Sequence, residues 1–198
     1  MLPESAVNTP EELAQLADNV DILADATERA HYRHKDYEIQ KEFFSGKQKE
    51  HTLKNTIISL TNKKILYVGP TFSGSFHDYN LFKQEFSPDK DWFEKIAIRV
   101  DLGYLGIKKD YRFEENIFIP HKKPKKSKLN PFPKLTEKQK KENKCINKKR
   151  VYVENAIGGM KRFQILVIRL RNKLSYIKDI VIRLAAGLFN LKNNFVIQ

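Results

Sequence analysis

The 198 residues suffice for one ordinary domain with a sizeable core and are too few to divide comfortably into two. At 40% hydrophobic and 11% aromatic residues the chain is neither disordered by composition nor membrane-like, and its single cysteine, Cys145, excludes a disulfide framework and a cysteine-cluster zinc site. No run approaches the roughly 20 apolar residues of a spanning helix and no secretory signal pattern opens the chain, so we expect a cytoplasmic protein, while a formal charge of +13 points to a polyanionic partner.

In chain order, Thr9-Pro10-Glu11-Glu12 predicts a short leading helix, with Thr9 capping, Pro10 at the first helical position and two acids at the positive end. Ile22-Leu23-Ala24-Asp25 is a brief apolar run that ends in a carboxylate. Leu53 to Leu60 and Ile65 to Val68 are β-rich runs around the polar turn Thr61-Asn62-Lys63-Lys64, the pattern of a hairpin. Pro70 and Gly74 break the second run, after which Asp78, Leu81, Phe82 and Phe86 take helical spacing.

Ile96 to Val100 is a third apolar run, and it delivers Asp101 into the turn Gly103-Tyr104-Leu105-Gly106. Ile117-Phe118-Ile119-Pro120 predicts one more short strand, and the Pro- and Lys-rich segment His121 to Lys134 predicts an exposed loop. Thr136-Glu137 opens a long helix that runs past Glu154, weakened near its end by Gly158-Gly159. Ile177, Ile180, Val181, Leu184, Leu188 and Leu191 repeat at three and four residues, which predicts an amphipathic closing helix. This order is an α/β pattern with a mixed sheet and flanking helices, in which Asp25 and Asp101 sit at strand ends and Glu154 leans over them from a helix.

Charge is unevenly spread. Residues 1–28 hold seven carboxylates and no Lys or Arg, whereas residues 121–150 hold thirteen Lys or Arg against Glu137 and Glu142. A solvated helix face mixes both signs, so a stripe this one-sided suits the phosphates of a nucleic acid, with an anionic membrane or a merely soluble linker as the alternatives.

Breaking or joining phosphodiesters requires an activated hydroxyl and a stabilised leaving oxyanion, and two Mg²⁺ ions about 3.5 to 4 Å apart supply both. Such ions take hard oxygen ligands, so Asp25, Asp101 and Glu154 are candidates, although any one of them alone is more simply a turn, cap or solvated residue. Arg150, Glu154 and Lys161 stand at i, i+4 and i+11, which a helix places on one face beside the apolar Val151, Val153, Ile157 and Met160. The plainer reading is a solvated Arg–Glu pair with a separate lysine; the apolar neighbours favour a site rim.

Five segments resemble the DDE transposases of bacterial insertion sequences, a group related to Harbinger-like nucleases: Asp25-Ala26-Thr27-Glu28, the run Phe44 to Lys54, Gly74-Ser75-Phe76-His77-Asp78, Asp101 to Ile107, and Arg150-Val151-Tyr152-Val153-Glu154 followed by Lys161. The resemblance spans roughly residues 20–195. It implies an RNase H-like fold in which Asp25, Asp101 and Glu154 bind two divalent ions, Mg²⁺ or Mn²⁺, to cleave DNA strands and transfer them at transposon ends. It also implies that Arg150 and Lys161 hold double-stranded DNA, and we add Lys47, Lys49, Lys122, Lys123, Lys125 and Lys126 as backbone contacts. A homo-oligomer pairing two DNA ends is expected. The family's tyrosine three residues before the arginine is replaced by Asn147. Family members carry a helical recognition region ahead of the first acid, so residues 1–19 are expected to be a truncated helical lead and 20–198 the catalytic domain with a basic loop at 121–135. A fragment that binds DNA without transposing, and a basic binding module with incidental acids, are the rival readings.

Among the other residues, Asp78 with His77 either caps the following helix, as its position favours, or serves the site; Glu28 is expected to be a solvated carboxylate, the alternative being a basic partner or an outer-shell water; His51 is expected to be structural rather than a DNA contact, and Trp92 to pack near the second-acid strand. Ser45-Gly46-Lys47 lacks the second glycine and the hydroxyl residue of a phosphate-binding loop.

Overall fold

A computed structural model describes residues 7, 9–16, 20–128 and 130–196. The chain begins with α1 (Pro10–Leu16), where the Thr9 hydroxyl accepts from the Glu12 amide at 3.2 Å as its cap, and enters β1 (Asp21–Ala30). Then come α2 (Tyr37–Phe43), β2 (Phe44–Ser45), β3 (Glu50–Leu60), β4 (Ile65–Val68), β5 (Phe72–Ser73) and α3 (Asp78–Glu85). The second half holds β6 (Ala97–Arg99), α4 (Ile107–Asp110), β7 (Ile117–Phe118), α5 (Glu137–Met160) and α6 (Ser175–Val196).

The strands form one mixed sheet in the order β2-β3-β1-β6-β7, with β4 and β5 also paired to β3. β1 runs antiparallel to β3 but parallel to β6, and β6 parallel to β7. The expected hairpin is β3–β4, and its turn places Lys63 at φ 73°, in the left-handed region. Such a mixed sheet with helices on both faces is the RNase H-like arrangement.

Side chains alternate across a strand, so the sheet has two apolar faces. Ile22, Ala24, Ile58, Ile98 and Val100 share one core with Leu13 of α1, Phe82 of α3, Tyr104 and Ile107. Leu23, Ile57, Ile65 and Val68 share the other with Val153, Ala156 and Met160 of α5 and Ile182, Ala186 and Phe189 of α6. α5 starts with a capping box in which Thr136 and Gln139 satisfy each other's backbone amides. It passes through Gly158 and Gly159 unbroken, and at Gly159 a Cβ would fall 2.3 Å from the Phe189 ring, so the missing side chain lets α6 close on α5.

Several expectations need correction. β1 runs to Ala30, so Asp25 lies mid-strand and not at a strand end: from Asp25↔Ile57 to Ala30↔Thr52 the ladder with β3 carries polar residues that no apolar alternation marks. β3 likewise starts at Glu50, because β2 and β5 pair with its polar first half. The short helices α2 and α4 have too few apolar positions to declare a period; α2 is marked only by Asp36, whose carboxylate caps the amides of Glu38 and Ile39. Trp92 is buried against Phe86, near the start of β6, as expected.

Candidate active site and nucleic-acid face

β1 presents Asp25 on the same face as Leu23, towards α5. The parallel pairing of β1 with β6 ends at Leu23↔Arg99, and two residues further along each strand stand Asp25 and Asp101. Asp101 follows β6 after Val100, and its Oδ1 accepts from the Gly103 amide at 2.8 Å, which turns the chain and leaves the second oxygen unused by that turn. Glu154 comes from α5, between the buried Val153 and Ala156 positions, with its side chain half exposed over β1.

α5 is tied to β1 near both ends of the strand. Lys149 pairs with Asp21 at 2.7 Å, where Arg99 of β6 joins at 2.9 Å, and Lys161 donates to the Glu28 carbonyl at 2.9 Å. Between these ties, Arg150 lies 3.6 Å from Asp25 and 3.5 Å from Glu154. Lys161 is the residue that caps the C-terminal end of α5, and burial lowers its pKa from the usual lysine value while Glu28 and Asp25 oppose that. It is therefore turned inward, not displayed on an open helix face. Val151, expected beside buried structure, is exposed, because Val153, Ala156 and Met160 take the core-facing stripe.

Burial pushes the Asp25 carboxyl up to about 6; Arg150 counteracts this, while Asp101 and Asp78 add like charge. The carboxylate is thus buried among acids and short of positive charge, the condition that a divalent cation relieves, and every donor around it is a hard oxygen. Among the described residues no three carboxylate, imidazole or thiol groups converge tightly as the side chains stand.

Asp78 belongs to this cleft, the site role that the His-Asp turn left open beside a helix cap. The cap of α3 is His77, with no side-chain bond, and Asp78 instead pairs with the buried Lys54 at 2.9 Å. Its other oxygen comes within 3.4 Å of the point where a Gly103 side chain would start, beside Asp101. Glu28 is likewise not solvated: it pairs with Lys54 at 3.4 Å and accepts from the Thr52 hydroxyl at 2.8 Å. Lys54, itself 8% exposed, also donates to the Phe76 carbonyl, so one ammonium ties β1, β3 and the start of α3 together. Asp25, Glu28, Asp78, Glu154, Lys47 and Lys161 line an open cleft of about 220 Å³. Beneath it the fully buried Tyr104 hydroxyl has no hydrogen-bond partner among the described residues. The cue that was available for Asp78 is the His-Asp turn, whose motif does not reveal which way the acid points.

A family model described as DDE superfamily endonuclease matches residues 24–190. The chain belongs to this superfamily. A protein described as a probable transposase for insertion sequence element IS702, from Microchaete diplosiphon, is 35% identical over 153 residues, which is 77% of this chain and 50% of that protein. The chain thus spans about half the length of that curated relative. No solved structure matches.

In this member of the superfamily, only Lys47 and Lys161 of the eight expected DNA contacts line the acidic cleft, with Arg150 at its edge. Lys49, at φ 60°, is exposed in the β2–β3 turn, and Lys122, Lys123, Lys125 and Lys126 are exposed on the basic loop. That loop is latched at its start, where Asn143 of α5 exchanges bonds of 2.7 and 3.0 Å with the His121 backbone and Glu142 meets the His121 ring at 2.5 Å. Its far end runs straight into α5. Lys140, Lys144 and Lys148 then line one open groove along α5 with Asn147 and Val151, leading from the loop towards Arg150. No described helix is long and apolar enough to cross a membrane.

Proposed function

We propose that this chain is the catalytic unit of an insertion-sequence transposase that cleaves DNA strands and transfers them at transposon ends, with Asp25, Asp101 and Glu154 as the acids. The observation that carries this reading is the buried, under-compensated Asp25, level with Asp101 and overlooked by Glu154, at the end of a lysine-lined helix. Asp25 and Asp101, with Glu154, would hold the divalent ions, Mg²⁺ or Mn²⁺, which when bound activate the attacking hydroxyl and stabilise the leaving oxyanion.

The protein's own groups do the positioning. The ties Lys149–Asp21 and Lys161–Glu28 hold α5, and so Glu154, in register with Asp25. Lys54 shares its single positive charge between Glu28 and Asp78, which lets five acids lie close together. Lys140, Lys144, Lys148 and the loop lysines grip phosphates without reading sequence, and Lys47 and Lys49 flank the cleft from the β2–β3 turn. The unit comprises residues 20–198, with residues 1–19 as a lead, and it acts as a homo-oligomer on double-stranded DNA in the cytoplasm, at the nucleoid.

Cleavage of labelled duplex DNA with Mg²⁺ or Mn²⁺ tests the reading. Asp25→Asn, Asp101→Asn and Glu154→Gln should each abolish cutting while DNA binding persists. A native chain that binds DNA and never cuts it would favour the second reading, a DNA-binding portion of a longer transposase, which the half-length match to the relative supports.

A further inference from the structure

We propose that Arg150 is the resident counter-cation of the acidic cleft and exchanges with a divalent ion there, so that ion binding releases its guanidinium to the DNA backbone. This rests on Asp25 and Glu154 being ion-binding acids.

Three cations of α5 or its cap reach towards β1, and they are held differently. Lys149 meets Asp21 at 2.7 Å and Lys161 meets the Glu28 carbonyl at 2.9 Å, both hydrogen-bond distances. Arg150 stands 3.6 Å from Asp25 and 3.5 Å from Glu154, beyond that range, and its Nε has no hydrogen-bond partner among the described residues. Two lysines are ties; the arginine meets its two acids only at ion-pair distance. Its side chain is nevertheless only 13% exposed, and a guanidinium buried with unmade hydrogen bonds is costly to keep.

Arg150 bridges the strand-borne and the helix-borne acid, the same two groups an ion between β1 and α5 would engage. An ion there would remove both of its counter-charges and set a dication beside it, so the arginine's place is lost on both counts. The lysine-lined groove ends at Lys148 and Val151, which flank Arg150 within a single turn of the same helix. A phosphate on that track offers what the cleft does not, two parallel charge-assisted hydrogen bonds to the planar fork. The exchange makes ion and DNA affinities cooperative, and the coupling is equal in both directions.

The test is calorimetric titration of Mn²⁺ alone into the DNA-free native chain, Arg150→Gln and Asp25→Asn, with circular dichroism to check folding. Removal of the competing cation should tighten Mn²⁺ binding by about tenfold in Arg150→Gln, while Asp25→Asn should lose it. In a second arm, Ca²⁺ in place of EDTA should tighten duplex binding by about tenfold for the native chain and by less than about threefold for Arg150→Gln. Should Arg150→Gln not fold, Arg150→Lys, whose compact ammonium cannot span both acids, should still bind Mn²⁺ about threefold more tightly than the native chain. If the arginine variants bind Mn²⁺ no more tightly than the native chain while Asp25→Asn abolishes binding, the exchange is wrong and the ion site stands. If the native chain takes up no Mn²⁺, both readings fall.

Discussion

Replacing Asp25 by Asn should make the protein more stable while it destroys the proposed activity. Burial raises the Asp25 carboxyl to about 6, against 3.8 for a free aspartate. A raised carboxyl pKa means the folded state holds the proton more tightly than the unfolded chain does. Below about pH 4 both states are protonated and nothing is lost. Between about pH 4 and 6 the unfolded chain ionises first, and stability falls by about 1.4 kcal/mol per pH unit until the folded form ionises too. Above about pH 6 the full cost, about 3 kcal/mol, is present. Asparagine never ionises, so the variant escapes this cost, less what Arg150 loses when its nearest acid goes; a net gain of about 2 kcal/mol at pH 8 is expected. Trp92, the single tryptophan and buried against Phe86, reports unfolding by fluorescence. Urea curves in EDTA at pH 4.5, 6 and 8 should show the two proteins nearly equal at the lowest pH and diverging as pH rises. A difference that does not change with pH, or a variant that is the less stable at pH 8, would refute the account of Asp25 as a buried, under-compensated acid.

Lys54→Met leaves Glu28 and Asp78 without their shared ammonium and should cost about 3 to 5 kcal/mol in urea unfolding, with partial recovery when Glu28→Gln is added; no recovery would mean the pairing is incidental. Gly158 has open space around it and Gly159 has the Phe189 ring, so in thermal melts Gly158→Ala should stabilise by about 0.5 to 1 kcal/mol and Gly159→Ala destabilise by about 1 to 3 kcal/mol. Equal effects at the two glycines would contradict the close approach of α6. Changing Lys122, Lys123, Lys125 and Lys126 together to Gln should weaken duplex binding alike for all sequences and lower the slope of log K against log salt by up to about 4. An unchanged slope would place those lysines away from the DNA.

Much of the architecture is local and was accessible from residue order. The apolar runs at 22–25, 53–60, 65–68 and 96–100 became β1, β3, β4 and β6, Thr136-Glu137 became the start of α5, and the three-four spacing after Ser175 became α6. Those signals survive in one dimension because strand alternation, helix periodicity and caps are relations between near neighbours. The motifs also marked Asp25, Asp101 and Glu154 as a set. What only the tertiary structure decided is where each charge ends up. Asp25 lies mid-strand because β3 pairs past it, Asp78 faces the cleft because Lys54 draws it there, and Lys161 turns inward to a carbonyl of β1. Glu28 is drawn inward by the same lysine. A charged side chain's direction is set by partners that lie 24 to 133 residues away in the sequence, as with Thr52 for Glu28 and Glu28 for Lys161, and by the burial they share. Electrostatics in a packed interior depends on those distances and that burial, and neither is written in the order of residues.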